Sequence, residues 1–158
     1  MMIFVPASHH DARALRSGQD LATARGCAAT DSLIAALGSG SSIEEAEFAA
    51  LSNAGVLAIM HGPGSPRLVL AAEVADDQVT DHRTDLGEID VERLRWSQVQ
   101  SLFADEPEAG EAVKRARLEA GERGLAETLA IPAVGDLLDT YDLLWFAIAE
   151  LDSLEVAD

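Results

Sequence analysis

The fold is decided by an apolar run near the middle of the chain, LVLAAEV at residues 68–74. Pro66 precedes this run and Asp76 and Asp77 follow it, so residue types that strands avoid mark both of its ends. Its apolar residues are almost continuous, whereas a strand with one solvated face alternates between polar and apolar residues. The segment therefore predicts a strand that is buried on both faces at the centre of a sheet.

Shorter segments on both sides of this run predict further strands. Residues 2–5 are apolar, and residues 23–29 and 99–103 are two further candidates. Ile89 and Val91 alternate with charged residues, which is typical of a strand with one wet and one dry face. We expect about four strands in a small mixed sheet.

Capping and breaking residues predict about four to five helices. The clearest helix start is a capping box at Ser42 and Glu45, in which the serine hydroxyl accepts a hydrogen bond from the glutamate backbone N–H. This helix is expected to stop at the GPG sequence of residues 62–64, and a last helix begins at Asp136 or Asp139. The other predicted helices run from a Ser8 cap to about Leu15, from Thr30 or Asp31 to Gly38, and from Pro107 to about Gly121.

The order of these elements indicates a single compact domain of the α+β class, with α/β as the alternative. A length of 158 residues is sufficient for one hydrophobic core. We expect residues 1–153 to form the domain and residues 154–158 to be an acidic C-terminal tail.

The charge is strongly negative, with 28 acidic and 11 basic residues and a net charge of −17. Direct binding to a nucleic-acid backbone needs clustered cations, and so does docking on an anionic membrane. The composition therefore argues against both activities. It is compatible with a solubilising surface or with an acidic face for a basic partner.

The compartment is predicted from the thiol content and from hydropathy. Cys27 is the only cysteine, so the fold cannot depend on an internal disulfide, and a buried thiol of this kind behaves as a small hydrophobic residue. The N-terminal apolar run has no basic flank, and no run approaches the roughly 18 apolar residues that a membrane span needs. We expect a cytoplasmic protein.

Several segments together resemble a family of small, acidic, uncharacterised actinobacterial proteins. The matching segments are IFVPA at 3–7, EEAEFAA at 44–50, LVLAAEV at 68–74 and LLWFAIAEL at 143–151. The resemblance implies a bacterial cytosolic source and no established activity. It assigns no catalytic residue, and histidines at positions 9 and 10 are not a feature that we associate with the family.

The predicted last helix has more apolar surface than one packed face requires. Trp145 and Phe146 extend its apolar stripe sideways, so the helix is either enclosed in the core or meets a partner. We favour a non-catalytic protein-interaction or regulatory domain that uses this apolar and acidic helix, with a protein partner, a homodimer or both, and no cofactor. The predicted interaction residues are Leu143, Trp145, Phe146, Asp139, Asp142 and Glu150.

Two alternatives remain open at the level of sequence. His9, His10, Asp11 and His82 could bind a divalent metal that activates water, as in a metal-dependent hydrolase, if folding brought them together. Their spacing matches no defined ligand motif. An array of carboxylates along one face could instead mimic a nucleic acid and occupy a basic groove on another protein.

Overall fold

The computed structural model describes residues 1–61 and 66–154, with the side chain of His61 left out. Seven strands form one sheet. The strands are β1 (Met2–Pro6), β2 (Leu21–Ala28), β3 (Leu68–Glu73), β4 (Val79–Asp81), β5 (Glu88–Leu94), β6 (Val99–Ala104) and β7 (Leu144–Phe146). The helices are α1 (His9–Arg16), α2 (Asp31–Leu37), α3 (Ile43–His61), α4 (Gly110–Ala120), α5 (Leu125–Leu129) and α6 (Pro132–Thr140), and four short 3-10 helices cover Asp76–Gln78, Trp96–Gln98, Pro107–Ala109 and Ile148–Leu154.

The sheet has the strand order β4-β5-β2-β1-β3-β6-β7, and every neighbouring pair is antiparallel. The α+β class is therefore confirmed. The expected count of about four strands in a mixed sheet is wrong, because both edge strands were missed. Strand β4 lies in the polar segment after the apolar run, where we predicted no strand, and β7 lies in the segment for which we predicted the last helix. The described residues also form more helices than we predicted.

The apolar run at 68–74 forms an interior strand, as predicted. Side chains of β3 alternate between two hydrophobic clusters, one on each face of the sheet. Leu68 and Leu70 enter the cluster that α1 and the 3-10 helix Ile148–Leu154 cover, whereas Val69 enters the cluster beneath α2 to α6. Burial on both faces explains why the run needs no polar residue.

Three predicted helix starts are confirmed by their caps. The hydroxyls of Ser8, Thr30 and Ser42 accept hydrogen bonds from backbone N–H groups three residues further on, at 3.0, 3.2 and 3.1 Å. These bonds satisfy donors that the first helical turn leaves free. The predicted stop of α3 at residues 62–64 and most of the predicted tail at 154–158 lie outside the described residues.

The predicted last helix is wrong. Helix α6 begins at Pro132, earlier than predicted, and ends at Thr140, after which Tyr141 has an extended backbone. The chain then forms β7 and a 3-10 helix. Apolar residues on all sides of a segment fit an enclosed helix, but they also fit a strand that contacts the protein on both faces. Pairing with β6 is a tertiary contact that the local pattern does not reveal.

No helix in the described part of the chain combines the length and apolar character needed to cross a membrane.

Candidate functional site

The sheet ends in a short strand that carries exposed aromatic surface. β7 pairs with β6 through Leu144 opposite Ala104, Trp145 opposite Phe103 and Phe146 opposite Leu102. Its other side has no partner strand among residues 1–61 and 66–154. Trp145 is 62% exposed and Leu144 is 41% exposed. The open strand therefore offers both backbone hydrogen-bonding groups and apolar surface to another molecule.

The side chains of β7 divide between the two faces of the sheet. Phe146 is half-buried and packs against the cluster that α1 covers. Trp145 stands opposite Phe103, which packs against the other cluster, so the indole lies on the face that carries α3 to α6. The interpretation that this region is enclosed in the core is therefore wrong for Trp145.

The remaining predicted interaction residues lie near this edge in sequence. Asp139, Asp142 and Glu150 are exposed, and Leu143 is half-buried against the helix-side core. The carboxylate of Glu150 accepts a hydrogen bond from the backbone N–H of Ala147 at 2.8 Å, so it also stabilises the turn after β7.

A buried ion pair beside β7 was missed by the sequence analysis. Arg67 is 2% exposed and Asp105 is also buried. Nη2 and Nε of Arg67 donate to the two carboxylate oxygens of Asp105 at 2.6 and 3.0 Å, and the backbone N–H of Arg67 donates to the same carboxylate at 2.8 Å. Nη2 also donates to the carbonyl oxygen of Tyr141 at 3.3 Å, which connects the pair to the end of α6.

The third guanidinium nitrogen of Arg67 faces a different environment. Nη1 has no hydrogen-bond acceptor in the described part of the chain. A Cβ atom built on Gly55 would lie 3.3 Å from Nη1 and 3.1 Å from Cδ1 of Leu143. The absence of a side chain at Gly55 therefore leaves room for Nη1 between α3 and Leu143.

Arg67 lines a cleft between α3 and the end of α6, which we call the Arg67 cleft. Its empty space is about 340 Å³ when the solvent at its open mouth is counted, and the enclosed part is much smaller. Its wall on α3 follows one helical face, because Phe48, Leu51, Ser52 and the adjacent Gly55 are spaced by three, four and seven residues. The full lining is Phe48, Leu51, Ser52, Arg67, Leu138, Tyr141, Asp142 and Leu143.

One sequence signal points to the ion pair in retrospect. Arg67 directly precedes the apolar β3, and Asp105 directly follows the apolar β6. Antiparallel strands bring the start of one next to the end of the other, and Leu68 is indeed opposite Ala104. Opposite charges at these two positions therefore indicate an ion pair, but only when the pairing of β3 with β6 and its register are known.

The predicted metal-binding residues do not form a cluster. His9, His10 and Asp11 lie in the first turn of α1, whereas His82 follows β4 and its Nε2 lies 2.9 Å from Oδ2 of Asp90. Among residues 1–61 and 66–154 there is no group of three or more histidine, cysteine, aspartate or glutamate side chains that could hold a metal ion. The hydrolase alternative is therefore not favoured.

Several carboxylates are neutralised one by one at separate places. Glu73 is 2.8 Å from the N-terminal ammonium group, Asp152 is 2.9 Å from Nη2 of Arg16, and Asp105 is buried against Arg67. The hydrogen bond that Arg16 donates to Asp152 lowers the pKa of that carboxyl group, and the bond that the N-terminal ammonium group donates to Glu73 raises the pKa of the amine. Individual pairing of this kind does not favour a single carboxylate array that mimics a nucleic acid.

Cys27 is buried, as predicted, and burial raises its pKa from 9.0 to about 12. Since the thiolate is the reactive form, we expect the native thiol to resist a disulfide reagent such as DTNB at about pH 8 and to react once the chain is unfolded in urea. Because the unfolded chain loses this proton first, stability should also fall as the pH rises from 9.0 towards 12.

The matched control is Ser39→Cys, which adds a thiol at an exposed position. One equivalent should then react quickly while Cys27 stays protected. Reaction of the native wild-type protein as fast as this added thiol would contradict the prediction.

The fold and its open edge define a class: an α+β domain with one antiparallel sheet, an exposed aromatic edge strand and a small cleft over a buried ion pair. The chain belongs to DUF6912, a family of unknown function, whose model matches residues 1–154. The expected resemblance to a family without an established activity is confirmed, and an actinobacterial source stays a prediction. Comparison with curated proteins and with solved structures finds no match.

Proposed function

We propose that this chain is a non-catalytic interaction domain that binds an extended, basic segment of a partner protein at strand β7. The observation that carries the proposal is Trp145, an aromatic side chain that is 62% exposed on a strand paired along one side only. We propose a cytoplasmic location for this interaction, which the single buried Cys27 supports because the fold needs no disulfide.

Backbone geometry supports an extended partner. An edge strand presents N–H and C=O groups in a row, and a peptide can satisfy them by adding one more strand to the sheet. β7 is only three residues long, so its own hydrogen bonds would give a weak complex. Side-chain contacts must therefore contribute much of the affinity.

Trp145 can supply that contribution. Tryptophan is enriched among the interface residues that carry most of the binding energy, because it offers a large apolar surface with few rotatable bonds. Leu144 adds exposed apolar surface on the same strand. Burial of these two side chains by a partner would remove from water much of the apolar surface at this edge.

Charge supports a basic partner more than a second copy of the chain. Asp139, Asp142 and Glu150 are exposed near β7, and the segment from Ile131 to the end of the sequence contains no basic residue. Two copies would bring these carboxylates together, and each chain has a net charge of −17. A segment with lysine or arginine would be attracted to the same surface.

Trp145 fluorescence can test the proposal directly. In a Trp96→Phe variant, Trp145 is the only remaining tryptophan. We expect a peptide of about ten alternating lysine and valine residues to shift its emission to shorter wavelength and to bind more weakly as salt increases.

Two control peptides separate the contributions. The same peptide with N-methylated backbone amides keeps the charge but cannot form the strand, and an alternating glutamate and valine peptide reverses the charge. Neither should bind. Equal binding of the N-methylated peptide, or no binding by any of the three, would reject the proposed mode. Sedimentation of the wild type gives a further outcome: a dimer that Trp145→Asp abolishes would identify a second copy as the occupant and overturn the basic partner.

A further inference from the structure

We infer that the Arg67 cleft binds a free amino acid with an apolar side chain, whose carboxylate contacts Nη1 of Arg67 and whose ammonium group contacts Asp142. The inference goes beyond the proposed function, because it concerns the cleft between α3 and α6 and does not involve the open side of β7.

The inner end of the cleft contains an unused cationic donor. Arg67 is only 2% exposed. Its Nε donates to Asp105, and its Nη2 donates both to Asp105 and to the carbonyl oxygen of Tyr141. Nη1 has no acceptor among the described residues and lies next to Leu143, which lines the cleft. An acceptor that enters the cleft can therefore form a charge-assisted hydrogen bond with Nη1. A carboxylate is the acceptor that matches a guanidinium best.

The ligand must also match a negative charge. Asp142 lines the same cleft, is exposed to solvent, and has no ion-pair or hydrogen-bond partner in the part of the chain that the structure describes. A simple carboxylate would meet the guanidinium but would be repelled by this aspartate. A ligand with an ammonium group close to its carboxylate satisfies both.

The walls of the cleft select the rest of the ligand. Phe48, Leu51, Leu138 and Leu143 line it with apolar atoms. The enclosed part of the cleft is much smaller than the 340 Å³ that includes the open mouth, so only a small molecule fits. An α-amino acid presents both charges close together, because its carboxylate and ammonium groups are attached to the same carbon. Its side chain then contacts the apolar wall.

Isothermal titration calorimetry of the full chain with L-leucine tests the inference. We expect saturable binding in the millimolar range or tighter. Removing either charge of the ligand should weaken binding at least about tenfold, as measured with 4-methylpentanoate, which lacks the ammonium group, and with 3-methylbutylamine, which lacks the carboxylate. L-aspartate, which has no apolar side chain, should not bind.

Three variants test the protein side of the contact. Asp142→Asn should weaken L-leucine binding about tenfold and leave 4-methylpentanoate binding unchanged or stronger. The exposed Asp139→Asn is the matched control and should bind L-leucine like the wild type. Gly55→Ala places a methyl group 3.3 Å from Nη1 without breaking the ion pair, so it should reduce binding while circular dichroism shows an intact fold.

Two kinds of result would reject the proposed ligand. If 4-methylpentanoate binds as tightly as L-leucine, or if Asp142→Asn has no effect, the zwitterionic ligand is rejected. If L-leucine does not bind the wild type at all, the inference fails, whereas the peptide titration at β7 is unaffected and still tests the proposed function separately.

Discussion

Replacing Asp105 with alanine is expected to lower the free energy of unfolding by about 3–5 kcal/mol, measured by urea denaturation. The carboxylate is buried and accepts hydrogen bonds from Nε, Nη2 and the backbone N–H of Arg67. Its removal leaves a buried guanidinium without a counter-charge and a backbone donor without an acceptor. Both losses carry the full cost of desolvation.

A double variant separates the lost interaction from the cost of an orphaned charge. Arg67→Met together with Asp105→Ala removes both charges, so we expect it to be more stable than Asp105→Ala alone. The control is Asp152→Ala, which breaks the exposed pair with Arg16 and should have a much smaller effect. If Asp105→Ala destabilises the protein no more than Asp152→Ala does, the ion pair is not the structural element described above.

Gly26→Ala is expected to lower the free energy of unfolding by about 3 kcal/mol or more. Gly26 lies in β2, between β1 and β5 at the middle of the sheet. A Cβ atom there would overlap the carbonyl oxygen of Phe4 in β1 and lie 3.2 Å from Cγ2 of Val5. Because the oxygen belongs to the backbone of a central strand, relief of the overlap requires two strands to separate.

Gly135→Ala in α6 is the matched control for this substitution. A Cβ atom on Gly135 has nothing within 4 Å, so the same chemical change should stabilise the protein by up to about 1 kcal/mol through helix propensity. A Gly26→Ala variant as stable as Gly135→Ala would show that β1 and β2 do not approach as closely as described.

Local sequence signals predicted elements whose causes are local. The apolar run at 68–74, the serine and threonine caps of α1, α2 and α3, and the alternation around Ile89 all reappear in the structure. Each depends on residues a few positions apart. The edge strands were missed for the opposite reason, because β4 and β7 have three residues each and are recognisable only by their pairing with β5 and β6.

The candidate sites also differ in whether local sequence or tertiary pairing determines them. Trp145 was recognised from the sequence as surplus apolar surface, although its strand was read as a helix. Arg67 and Asp105 lie 38 residues apart and become partners only through the register of β3 and β6. The Arg67 cleft was not predictable, because its walls come from α3, α6 and the segment before β7.

The amino-acid sequence by itself determined the α+β class, the buried central strand, the helix caps, the negative charge and the unusual apolar surplus around Trp145. Hydrophobic patterning and capping act over a few residues, so they can be read directly from the chain. Only the tertiary structure decided that this surplus lies on an open edge strand and that Arg67 meets Asp105 beneath a cleft. Strand pairing and packing join residues that are distant in sequence, and no local pattern contains that information.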